Sequence, residues 1–165
     1  VLNILEFIEK LGYLIEPENI KSGLKQVIKL TGIQGRWQKL SDKPLVIADT
    51  GHNEDGLKQV IENFKMIDYS TLHFIFGMVN DKDPNKILSL LPKEAIYYFV
   101  KASVPRALEE TELLHRAQKL KLTGKAFKSV ELGIVAAKKA AKKGDLIFIG
   151  GSTFVVADAL ILEHE

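Results

Sequence analysis

A chain of 165 residues, 46% hydrophobic and 27% charged, is long enough for one core-bearing domain and too apolar to stay disordered. Its formal charge of +2 is too small to argue for a nucleic-acid partner, and the absence of cysteine excludes disulfides and thiolate metal sites. No run of about 18 apolar residues offers a membrane span.

The chain opens on Val1 with no basic-then-apolar leader behind it, which suggests a segment of a longer protein. Two helical patterns, about 1 to 11 and 17 to 30, come before any strand and read as the tail of a preceding domain. Residues 32 to 35 read as a linker. Arg36 to Leu40 is then expected to add an antiparallel edge strand, with Trp37 facing in.

From about residue 44 onward, short apolar runs alternate with helical patterns. Pro44 to Ala48 reads as a buried strand, stopped by Asp49, Thr50 and Gly51. Leu57, Val60, Ile61 and Phe64 recur at helical spacing. Leu72 to Phe76 is a second strand of this set, ending at Gly77. Asp83 is placed to cap the next helix, with Pro84 at its first position.

Ala95 to Val100 is the next strand, and Leu108, Leu113, Leu114 and Ala117 mark the helix after it. A short strand near Lys125 to Lys128 precedes an Ala-rich helix over 130 to 142. Lys138, Lys139, Lys142 and Lys143 cluster there and read as a solvated face. Asp145 to Ile149 is the last strand, followed by Gly150, Gly151, Ser152 and a closing helix to about Leu162. This order predicts a three-layer, Rossmann-like α/β/α fold. Its sheet would have six mostly parallel strands and an antiparallel first edge strand.

Ligands of open α/β sheets bind beyond the carboxyl ends of the strands, so the loops that follow strands are the place to look. Asp49 to Asn53 puts a carboxylate, an imidazole and an amide within one loop. Asp49 could accept ribose hydroxyls and His52 could donate to an anionic oxygen. The plainer reading has Asp49 and Asn53 capping the next helix and His52 solvated. Gly150, Gly151 and Ser152 open a helix whose free N–H groups favour a phosphate or a carboxylate, or simply form a Ser cap. Asn80 to Asp83, with Lys82, is a mixed-charge turn. Arg36 is a possible phosphate ligand or a surface residue. His73 reads as structural, and His115 and His164 as solvated.

No Gly-x-x-x-x-Gly-Lys-Ser/Thr loop, Gly-x-Gly-x-x-Gly turn or Gly-x-Ser-x-Gly elbow is present, and no histidine pair has metal-ligand spacing. The residues alone therefore support an α/β domain that binds a small anion or a nucleotide, including a nonenzymatic or regulatory one.

The same loops carry a resemblance. Asp49 to Asn53 resembles the Asp-Gly-Ala-His-Asn motif of folylpolyglutamate and dihydrofolate synthases, relatives of the Mur ligases. Gly35 to Gln38 resembles the Gly-Arg-aromatic-Gln/Glu step into their C-terminal domain. Gly77 to Asp83 resembles their Gly-x-x-x-Asp-Lys-Asp segment, and Phe148 to Ser152 their closing strand and Gly-Ser turn. Thr50-Gly51 stands where Gly-Ala is usual, and Ile33-Gln34 where proline commonly precedes Gly-Arg.

The resemblance places residues 1–34 at the end of a central ATPase domain and residues 35–165 in a C-terminal glutamate-ligase domain. It implies a ligase that joins L-glutamate to a folate or dihydropteroate carboxylate through an acyl phosphate made with ATP. Mg2+ would be held mainly by the central domain. A monomeric cytoplasmic enzyme without nucleic-acid or membrane partners is expected, and the 165 residues alone are expected to be inactive. By position, Arg36 would contact ATP phosphates, Asp49 the ribose, and Asn53 and Lys82 would lie at the nucleotide side. His52 and Ser152 would orient glutamate or the tetrahedral intermediate. A Mur ligase acting on cell-wall precursors shares this chemistry.

Overall fold

The computed structural model describes residues 2–80 and 83–162. The chain divides into two compact units between Gln34 and Gly35. The first holds helices α1 (Leu2–Lys10), α2 (Pro17–Lys25) and α3 (Val27–Thr31). The single helix expected over 17 to 30 is two, because Gln26 leaves helical geometry at φ −105° and ψ 11°. Its backbone N–H bonds the Ser22 carbonyl, closing α2 there.

The second unit holds β1 (Gln38–Asp42), β2 (Leu45–Ala48), α4 (Glu54–Phe64), β3 (Leu72–Phe76) and α5 (Pro84–Leu88). β4 (Ile96–Val100), α6 (Glu110–Lys119), β5 (Thr123–Phe127), α7 (Val130–Ala140), β6 (Leu146–Gly150) and α8 (Thr153–Leu162) follow. The six strands form one sheet in the order β1-β2-β6-β3-β4-β5. β1 runs antiparallel to β2 and every other pairing is parallel.

Burial explains the strand sequences. All residues of β3 and β6 are buried, so these central strands read as unbroken apolar runs rather than alternating ones. One face of the sheet packs Leu57, Val60 and Phe64 of α4, Ile87 and Leu88 of α5, and Leu113 and Ala117 of α6. The other packs Val130, Ile134 and Ala137 of α7 with Val155, Val156 and Ala159 of α8. Asp83 caps α5 as expected, accepting from the Asn85 N–H at 2.9 Å, with Pro84 at the first helical position.

The edge strand starts later than the expected Arg36. Trp37 has φ 47°, which no strand residue adopts, so regular pairing begins at Gln38. Its ring nevertheless packs inward, against Phe64 and Phe148 at centroid distances of 5.9 and 5.7 Å. Phe148 meets Phe64 and Phe74 edge-on at 4.9 Å each, the geometry that opposes ring edges to ring faces.

At the opposite end of the strands from Ser152, His73 is buried and structural. Its Nδ1 lies 2.9 Å from the Tyr98 hydroxyl and its Nε2 3.3 Å from Asp145 Oδ2. The Lys142 N–H donates to the same Asp145 oxygen at 2.7 Å. That bond, reinforced by His73, holds the Asp145 carboxyl below its ordinary range, while burial raises the Tyr98 hydroxyl.

A carboxyl lowered by folding adds stability that is present above its unfolded value and is lost as pH falls through the lower folded one. Asp145→Asn is therefore expected to cost about 1–3 kcal/mol at pH 7. The gap to the parent protein should begin to narrow below about pH 4 and close as pH falls through the lowered folded value. Urea unfolding midpoints at pH 7, 5 and 3 check this.

Candidate functional site

β2, β6 and β3 are parallel neighbours, so the loops that leave their carboxyl ends open on one rim. The helices after β2 and β3 pack on one face of the sheet, whereas α8, after β6, packs on the other. Between β6 and β3 the chain thus departs to opposite sides, which is the switch point where such sheets bind ligands.

Asp49 organises the first loop. Its Oδ1 accepts from the Gly51 N–H and its Oδ2 from the Trp37 N–H, each at 2.7 Å. The Thr50 N–H donates to the Gly35 carbonyl at 2.8 Å, and Gln38 Oε1 accepts from the Gly35 N–H at 2.7 Å. These bonds fix the segment carrying Arg36, whose side chain is exposed, and hold Trp37 in the left-handed region. Asp49 is half-buried, and each of its oxygens retains a second lone-pair direction for a hydroxyl donor.

Asn53 caps α4: its Oδ1 accepts from the Gly56 N–H at 2.8 Å. His52 Nδ1 lies 2.9 Å from the Thr50 carbonyl. A carbonyl oxygen only accepts, so Nδ1 carries the proton in this contact. Ser152 is buried, and its Oγ accepts from the Phe154 N–H at 3.2 Å, capping α8. Gly151 beside it has φ 87°, and a Cβ there would strike the Phe76 ring.

His52, Met78, Val79, Arg106, Gly151, Ser152, Thr153 and Phe154 line a cavity of about 330 Å3. His52 and Ser152, far apart in the chain, therefore share one cleft. Arg36, Asp49 and Asn53 do not line it, and Lys82 lies outside the described residues. Among the described residues no group of three or more His, Cys, Asp or Glu side chains is placed to hold a metal ion.

Sequence reasoning missed Arg106. The spacing of Leu108 suggests that it belongs to the following helix, but α6 starts at Glu110, so 101–109 is a loop beyond the carboxyl end of β4. Arg106 stands over the Phe154 ring at 4.9 Å. The loop-after-strand rule applied to β4 would have found it.

Residues 35–153 match the family described as Mur ligase, glutamate ligase domain. The chain belongs to that family. A Haloferax volcanii relative, named a probable bifunctional folylpolyglutamate synthase/dihydropteroate synthase, is 30% identical over 148 residues. That alignment covers 88% of this chain and 17% of the relative. E. coli FolC in complex with DHPP and ADP superposes with a TM-score of 0.81 at 26% identity. The match covers 96% of this chain and 37% of that one. A Wolinella succinogenes UDP-N-acetylmuramoyl-L-alanyl-D-glutamate–2,6-diaminopimelate ligase is 36% identical over 55 residues, 33% of this chain and 12% of that ligase. The chain thus spans only part of the length of these proteins.

Within this domain Gly35 is the least replaceable residue of the entry segment. Its φ is 66°, and a Cβ would lie 2.8 Å from Thr50 Cγ2 and 2.9 Å from Val156 Cγ1. Gly35→Ala is expected to destabilise the domain by roughly 1–3 kcal/mol. Chemical denaturation of the two proteins measures the loss.

Proposed function

We propose that this chain is the C-terminal domain of an ATP-dependent folylpolyglutamate/dihydrofolate synthase, and that its cavity receives the incoming L-glutamate. The observation that carries the reading is the meeting of a guanidinium, an imidazole and a helix-capping hydroxyl in one small cleft at the switch point. A cavity of about 330 Å3 has room for an amino acid. Residues 1–34 would be the end of the central ATPase domain, which would supply the phosphate loop and hold Mg2+.

In this reading ATP phosphorylates the carboxylate of the folate or dihydropteroate substrate. The glutamate amine then attacks the acyl carbon, and the tetrahedral intermediate expels phosphate. Catalysis demands that two anionic reactants be held together and that developing negative charge meet fixed donors. Arg106 would bind a glutamate carboxylate through its planar fork. His52, its ring held by the Nδ1–H bond to the Thr50 carbonyl, would orient glutamate or the intermediate. Ser152 would place its hydroxyl and the start of α8 toward negative oxygen.

Arg36 would reach the ATP phosphates and Asp49 the ribose, using the lone pairs its backbone partners leave. Asn53, its oxygen spent on capping α4, would serve the nucleotide through its amide nitrogen. Lys82 would act at the same side. A monomeric cytoplasmic enzyme fits this assignment. The local 36% identity to the Wolinella ligase supports a second reading, a cell-wall peptide ligase with the same chemistry and a different acceptor.

Assays of the complete enzyme with dihydropteroate, a reduced folate or a UDP-muramoyl peptide, each with ATP and the amino acid, decide between the readings. Turnover with either pterin supports the folate ligase, and turnover with the muramoyl peptide alone overturns it. The 165 residues by themselves are expected to hydrolyse no ATP, and detectable hydrolysis contradicts the assignment. Arg106→Ala in the complete enzyme should raise KM for glutamate about 10-fold or more, the scale of a lost charged hydrogen bond, with KM for ATP unchanged. His52→Ala should lower kcat far more than it shifts the melting temperature.

A further inference from the structure

Arg106 is an exposed side chain on a nine-residue loop, 101–109, yet the glutamate site proposed above needs its guanidinium at a set place. The loop's backbone is stitched to the segment after β3. Asn80 N–H donates to the Arg106 carbonyl at 3.0 Å, and Leu108 N–H to the Met78 carbonyl at 2.9 Å. Those bonds place the peptide of the loop against the β3 side of the cleft. Two further contacts come from α8. Phe154 lies beneath the guanidinium, and four residues on, on the same helical face, Asp158 grips the start of the loop. Asp158 Oδ2 accepts from the Ser103 N–H at 2.8 Å and its Oδ1 from the Ser103 hydroxyl at 2.5 Å.

Both carboxylate oxygens are thus used on one residue, a bidentate hold that fixes orientation as well as distance. The same helix begins at the Ser152 cap, so α8 carries a group of the cavity at its N-terminus, the platform for Arg106 one position inside it, and the loop anchor a turn further on. Asp158 itself does not line the cavity. We propose that Asp158 is a positioning residue: by clamping Ser103 it registers the 101–109 loop on α8 and so sets Arg106 opposite Ser152 at the spacing that binds the amino-acid substrate. The inference rests on the glutamate-site reading and deepens it.

The test uses the complete ligase, with KM for glutamate, KM for ATP, kcat and melting temperature measured for Asp158→Ala, Asp158→Asn, Ser103→Ala, Arg106→Ala and the Asp158→Ala/Arg106→Ala double variant. Misplacing a binding group by about an ångström costs up to roughly 100-fold. Asp158→Ala should therefore raise KM for glutamate by about 10-fold, with KM for ATP unchanged. In the Arg106→Ala background it should add nothing further, because its effect passes through that guanidinium. Asp158→Asn, which keeps an acceptor oxygen, and Ser103→Ala, which keeps the backbone donor, should fall between the parent and Asp158→Ala. The Ser103 variant carries the test if Asp158→Ala does not fold. An unchanged KM for glutamate in Asp158→Ala, or full additivity with Arg106→Ala, overturns the positioning role and leaves the glutamate site standing. An Arg106→Ala enzyme with parental KM for glutamate overturns both.

Discussion

The insertion of β6 between β2 and β3 is the constraint on which the site depends. β3, β4 and β5 extend the sheet stepwise in one direction, and the chain then returns across the face covered by α7 to lay β6 in the gap. Parallel pairing along both sides of β6, Leu45 to Ala48 on one side and Leu72 to Phe76 on the other, fixes the strand ends in register. Gly150 to Ser152 consequently emerges between the Asp49 loop and the Gly77 loop. Burial of every β6 side chain provides the driving force, through apolar area removed from water on both faces.

On that frame Asp49 joins pieces of chain that have no pairing of their own. One carboxylate holds its own loop through Gly51 and the entry segment through Trp37. Charge-assisted bonds to backbone N–H groups are about twice as strong as neutral ones, enough to keep Trp37 at a backbone conformation that costs roughly 1–3 kcal/mol. The Trp37 ring then seals the aromatic cluster with Phe64 and Phe148. A single acidic residue thus couples the presentation of Arg36 to the packing of the core.

The two ends of the sheet use polar residues differently. At the amino ends of the strands, His73, Tyr98 and Asp145 are buried and bonded to one another, a satisfied network that specifies how β3, β4 and the turn before β6 meet. At the carboxyl ends, His52 and Arg106 are exposed and reach a cavity that the network never touches. The amino ends of the strands thus carry buried, mutually bonded polar groups, and the carboxyl ends carry exposed ones.

Much of this was legible along the chain. The bounds of β3, the Asp83–Pro84 start of α5 and the inward Trp37 follow from local rules, because burial period, capping chemistry and proline geometry act over a few residues. The loops after strands marked Asp49, His52 and Ser152 for the same reason. Sequence could not reveal that Asp49 bonds Trp37 twelve residues away, that Gln26 splits a helix, or that Arg106 stands on Phe154. Nor could it reveal that Asp158 of α8 grips Ser103, 55 residues earlier in the chain. Composition and spacing by themselves determined the fold class and the candidate loops, since those depend on periodicity. Which side chains meet was decided only by the order β2-β6-β3-β4, because contacts across parallel strands depend on where each crossover returns, and no local pattern encodes that distance.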